Sequence, residues 1–118
     1  FIFLSLISEI IIYHSGNFIY KLDTEESTAT LVGHLEEKLE VLNIPSSERT
    51  KGDFTVSQIG PNVFKNDHSI SGKVYIPATI KNISEYAFYN CSITEIEFAP
   101  LCQLETIGYY AFAHCVNI

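Results

Sequence analysis

Apolar residues two apart, closed by a proline, mark three short stretches of the chain: Leu39 to Pro45, Lys73 to Pro77 and Ile93 to Pro100. The pairs Leu42/Ile44, Val74/Ile76 and Ile96/Phe98 have the period of a strand with one buried face, and the proline at each exit stops the ladder from continuing. A second phrase keeps a steadier beat. Ile59-Gly60-Pro61-Asn62-Val63-Phe64 is followed by Ile83-Ser84-Glu85-Tyr86-Ala87-Phe88 and Ile107-Gly108-Tyr109-Tyr110-Ala111-Phe112, so its first isoleucines fall 24 residues apart. A fixed period in this range predicts a solenoid, in which each repeat buries its apolar face by stacking on its neighbours. Each repeat then reads as strand, turn and return segment. The span from Ile44 to Ile59 is eight residues longer than that from Ile76 to Ile83, an insertion expected to loop out on one face.

At these residues the chain resembles a known family. A short strand, Ile-Pro, a spacer, Ile-Gly or Ile-Ser, then Ala-Phe and a cysteine is similar to the BspA-type leucine-rich repeat of surface proteins in host-associated bacteria and parasitic protists. The match is good over residues 39–118 and looser before them. The resemblance implies an α/β-type repeat solenoid, with one short parallel strand per repeat of about 24 residues, preceded by an irregular β-rich N-terminal module. It also implies a secreted or cell-surface protein that binds or adheres to a host protein, a matrix protein or another surface protein, without catalysis or cofactor. Residues 17–38 read as the N-terminal module and 39–118 as three repeats, the last incomplete, with the array expected to continue. The first copy departs from the pattern: Val63-Phe64 replaces Ala-Phe, and Asp67 stands where later copies carry Cys91 and Cys115.

Residues 1–16 open with the most apolar stretch, too short for a membrane span and interrupted by Glu9. It reads either as a truncated export signal or as a strand capping the first repeat, and the second choice favours an intracellular interaction scaffold using the same surface. Any membrane association is expected to use a region outside this sequence. The formal net charge of −7 disfavours nucleic acid and anionic lipid, which need clustered Lys and Arg. No Asp-x-Asp-x-Asp-Gly spacing points to calcium, so the acidic first half reads as a solvated face.

Cys91 and Cys115 share one phase and are expected to stack inward as apolar fillers, bridged only if the layers bring their Cα atoms within about 7 Å. Cys102 is the thiol expected at the surface. No Cys-x-x-Cys pair supports zinc, and His14, His34, His68 and His114 fall at unrelated phases with solvated or capping roles expected. Asp67-His68-Ser69 holds triad residue types, but consecutive residues cannot converge on one atom, so a turn is expected. An enzyme with a site in the loop at 46–56 has no convergent polar group behind it, and no small-molecule substrate is expected.

The remaining candidate chemistry is surface. Between the buried strand positions, Val41 and Asn43, Lys73 and Tyr75, and Glu95 and Glu97 are expected to form successive outward rows, a concave binding ladder with Tyr75 as anchor. Tyr86 and Tyr109 on the return segment are weaker candidates. Phe64, Phe88 and Phe112, with Val63, Ala87 and Ala111, read as core. Of the sequons at Asn82 and Asn90, Asn82 is the glycosylation candidate, and Asn90 is expected to bond backbone within its turn.

Overall fold

The alternating segments resolve into strands in a computed structural model that describes residues 10–35, 38–49 and 52–118. In chain order these are β1 (Ile10–Ser15), β2 (Phe18–Asp23), β3 (Thr28–His34), β4 (Leu39–Asn43), β5 (Ser47–Glu48), β6 (Phe54–Ile59), β7 (Ile70–Ile76), β8 (Asn82–Ile83), β9 (Glu95–Phe98) and β10 (Thr106–Ile107). They form two sheets. The larger runs β1-β2-β3-β6-β8-β10 with β5 on β6, and the smaller runs β4-β7-β9. The first three strands are an antiparallel meander whose last member, β3, pairs in parallel with β6. From there the ladders are parallel, Ile59 opposite Ile83 and Ile83 opposite Ile107 in one sheet, Val74 opposite Ile96 in the other. Residues 10–15 of the apolar N-terminal segment are thus paired with β2, and residues 1–9 lie outside the described residues.

Two expectations are corrected. No helix occurs among the described residues, so the α/β element of the expected class is absent. The cause lies in the turns: Asn62, Asn66, Tyr86, Asn90, Tyr110 and His114 all take positive φ, and a left-handed residue at every fourth position prevents a helix from propagating. The chain also contributes two strands to each row rather than one, because Ile59, Ile83 and Ile107 sit in short strands of the larger sheet while Val74 and Ile96 build the smaller. The insertion after Ile44 supplies β5, whose Ser47 and Glu48 pair with Thr55 and Phe54.

The turns are themselves a ladder. The Asn62, Phe64 and Asn66 amides donate to the Glu85, Ala87 and Tyr89 carbonyls, and Tyr86, Phe88 and Asn90 donate to Tyr109, Ala111 and Ala113. These bonds pair turn amides and carbonyls from row to row although the turns are irregular. Inside them the phenyl rings stack, Phe64 on Phe88 at 4.9 Å and Phe88 on Phe112 at 5.1 Å between centroids. Buried side chains of both sheets, among them Tyr20, Leu31, Leu42, Ile59, Val74 and Ile83, join these rings in one core.

Burial first, and the charge of Glu48 second, pushes the Tyr20 hydroxyl up to about 12 from its ordinary value of 10.0. Because the unfolded chain releases this proton before the folded one does, the stability tied to Tyr20 is complete below pH 10 and falls as pH rises from there towards 12. Urea midpoints measured across that window should drop, and Tyr20→Phe should make the drop shallower. Equal slopes for the two proteins would contradict the assignment.

Candidate functional site

The outward face of the smaller sheet is built by register. Buried Leu42 and Val74 and half-buried Ile96 align in one row, which forces the residues beside them to the opposite face. Val41 therefore lies opposite Lys73 and Lys73 opposite Glu95, while Asn43 lies opposite Tyr75 and Tyr75 opposite Glu97. All six candidate residues are thus brought onto one ladder, although the two strand pairings have different sequence offsets. Val41, Asn43, Glu95 and Glu97 are exposed; Lys73 and Tyr75 are half-buried at the centre.

Lys73 organises this face. Its Nζ lies 3.3 Å from Glu95 Oε2 and 3.2 Å from Glu97 Oε1, and 5.0 Å from the centroid of the Tyr75 ring. Hydrogen bonding to Tyr75, then to Glu97 and Glu95, holds the ammonium above the ordinary lysine range, so it stays charged at physiological pH. Solvent-exposed ion pairs of this kind contribute little to stability. Their effect is to fix the tilt of the Tyr75 ring and the positions of two carboxylates, a pre-organised polar surface with one aromatic anchor.

Sequence reasoning missed a second cluster. His34 at the end of β3 contacts the Asp67 carboxylate through Nε2, and its ring lies 4.6 Å from Phe64, at the start of the phenyl stack. His34 and Asp67 are nearly buried, so of the solvated and capping roles expected for the histidines His34 takes the second: its ring caps the stack. Asp67 also accepts from the Ser69 amide at 2.8 Å and the Ser69 hydroxyl at 2.5 Å. The carboxylate sits between imidazole and hydroxyl, whereas a nucleophilic triad needs the imidazole in the middle to take the hydroxyl proton. These groups border a cleft of about 620 Å³ together with Lys38, Lys65 and His68. The signal for the cluster was the departure of Asp67 from the cysteine column; its partner, 33 residues away in the N-terminal module, had none.

The other candidates are placed as follows. Cys91 and Cys115 stack with Sγ atoms 3.5 Å apart, both donating to the Phe88 carbonyl, and burial pushes the Cys91 thiol up to about 12. Cys102 is half-buried. Asn82, in β8, accepts from the Thr106 hydroxyl of the next row at 2.5 Å. The Asn90 side chain donates to Asn66 Oδ1 at 2.9 Å, a bond between rows in place of the expected bond to turn backbone. Among the described residues no group of three or more His, Cys, Asp or Glu is placed to hold a metal ion.

Parallel ladders joined by stacked turns around a phenyl column define the leucine-rich-repeat class. The family described as BspA type leucine rich repeat region matches residues 57–118, and the chain belongs to it. Among solved structures, a leucine rich cell surface protein from Faecalibacterium prausnitzii superposes with a TM-score of 0.80 at 28% identity, covering 91% of this chain and 29% of that one. A leucine-rich repeat protein from Bacteroides ovatus gives a TM-score of 0.67 at 24% identity, covering 86% of this chain and 33% of that one. The pneumococcal vaccine antigen PcpA gives 0.66 at 21% identity, over 88% of this chain and 30% of that one. The chain thus spans about a third or less of these three proteins. No curated protein is significantly similar in sequence.

Proposed function

We infer that this chain is part of a leucine-rich-repeat solenoid of the cell surface, and that it acts by binding another protein through the β4-β7-β9 ladder. The observation that carries the reading is the Lys73–Glu95–Glu97 constellation around Tyr75, which costs entropy to hold and stabilises the fold little. An amphipathic ring flanked by fixed charges is the composition of an interface anchor. Membership of the BspA-type family and likeness to a bacterial leucine rich cell surface protein support the surface location and a non-catalytic role in adhesion to a host or matrix protein. The 24-residue offset of Ile59, Ile83 and Ile107 supports a repeat of that length. An intracellular scaffold using the same ladder is the second reading, supported by the pairing of β1 with β2 in the sheet.

The location is tested by labelling intact cells of the source with an antibody against residues 38–118. Signal without permeabilisation is the expected result; signal only after permeabilisation contradicts the surface reading and leaves the scaffold.

A further inference from the structure

A cleft of about 620 Å³ opens where the N-terminal module meets the first repeat, and the β4-β7-β9 ladder makes no use of it. Its lining inverts the charge of the chain. The sequence carries a net charge of −7, yet Lys38, Lys65, His34 and His68 border this cleft, with Asp67 the one carboxylate among the described residues that line it. Four residues from a total of seven Lys and Arg and four His thus meet in one concavity.

Asp67 does not cancel these charges at the cleft surface. Its side chain is 12% exposed, and its carboxylate meets His34 Nε2 and accepts from the Ser69 amide and hydroxyl. His34 Nδ1 donates to the Leu35 carbonyl at 2.9 Å, so both ring nitrogens are engaged and the imidazole serves as a wall. The ammonium groups are placed differently. Lys38 and Lys65 are exposed, and among the described residues neither pairs with a carboxylate. The Lys65 ammonium lies 4.8 Å over the Tyr86 ring, a contact that neutralises no charge. At His68 the Ser92 hydroxyl lies 2.5 Å from Nδ1, and with that hydroxyl donating, Nε2 carries the ring proton as a further donor.

We propose that this cleft binds a small phosphate monoester. Two uncancelled ammonium groups match a ligand group with two negative charges. A phosphate monoester carries about −1.5 to −2 at pH 7, whereas a carboxylate or a sulfate ester carries a single charge. Its terminal oxygens can also accept from separate segments at once, as Lys38 before β4 and Lys65 and His68 after β6 require. Volume sets the rest of the ligand. Small-molecule sites run from about 300 to 1,000 Å³, and bare phosphate fills a small part of such a space. The half-buried side chains of Ile19 and Val63 supply an apolar wall for a body the size of a sugar or a benzene ring.

The test is isothermal titration of the intact chain with phenyl phosphate at neutral pH and low salt. Saturable one-to-one binding is expected, and Lys38→Ser/Lys65→Ser should weaken it about tenfold or more, as loss of charge-assisted hydrogen bonds does. Lys21→Ser/Lys81→Ser removes the same charge from exposed positions outside the cleft and should leave the binding intact. Amide shifts of the wild-type chain on titration should centre on residues 33–34 and 63–69, which locates the site without any variant. Phenyl sulfate, benzoate and inorganic phosphate should bind more weakly. Vesicles containing phosphatidic acid, whose headgroup is the same monoester, should not retain a chain of net charge −7. No binding of phenyl phosphate, equal weakening by the two lysine pairs, benzoate bound as tightly, or shifts centred elsewhere would overturn the proposal. So would retention on the vesicles without binding of the soluble ester, or inorganic phosphate bound as tightly as phenyl phosphate, which would leave an adventitious ion only.

Discussion

Phe88→Ala is expected to lower the unfolding free energy by about 3–5 kcal/mol, the range for deleting a fully buried phenyl group. Phe88 has no exposed surface, and its ring lies between Phe64 and Phe112 with interplanar angles of 13° and 7°. Its removal leaves a hole with rings on both sides, and the rows cannot close over it because the Phe88 amide is tied to Ala111 and that of Phe64 to Ala87. Phe112→Ala should cost less, since Phe112 is only half-buried. Urea unfolding followed by circular dichroism measures both. A loss below about 1 kcal/mol for Phe88→Ala would mean that the phenyl column is not the core of the stack.

Gly72→Ala should be comparably damaging and should also dismantle the ladder. A Cβ at Gly72 would sit 1.9 Å from the Glu40 carbonyl oxygen, in the pairing of β4 with β7 where Leu39 is opposite Ile70 and Val41 opposite Lys73. The obstruction is backbone against backbone, so no side-chain rotation relieves it and β4 must move away from β7. We expect a loss of about 3 kcal/mol, at the upper end of overpacking costs. Val41 and Asn43 should also depart from the Lys73 and Tyr75 rows. Amide exchange should accelerate in β4 before β9. Uniform exchange rates with unchanged stability would contradict the close approach.

The register of the ladder was legible because alternation is a strong signal where one face is buried. Leu42, Val74 and Ile96 fix which neighbours turn outward, and they do so although β4 and β7 are offset differently from β7 and β9. Two-residue strands give no such signal. Asn82–Ile83 and Thr106–Ile107 are too short to show a period, so the larger sheet could not be read from them, and their isoleucines appeared only as a recurring phrase. The absence of helix rests on left-handed residues such as Tyr86 and Tyr110, whose type argues against that conformation. The contact of His34 with Asp67 joins residues in different segments, and only the tertiary fold brings them together. The ring contacts of Tyr86 with Tyr109 and Tyr110 likewise join two rows, and only the stacked fold brings them together.

The account rests on the claim that the β4-β7-β9 ladder is the protein-binding face. The most direct measurement is surface plasmon resonance of the wild-type chain, Tyr75→Ala and Tyr109→Ala against immobilised fibronectin, laminin and collagen. The account predicts binding to at least one, weakened about tenfold or more by Tyr75→Ala as for a central anchor, and unchanged by Tyr109→Ala. Binding that survives Tyr75→Ala intact and is lost with Tyr109→Ala would contradict it.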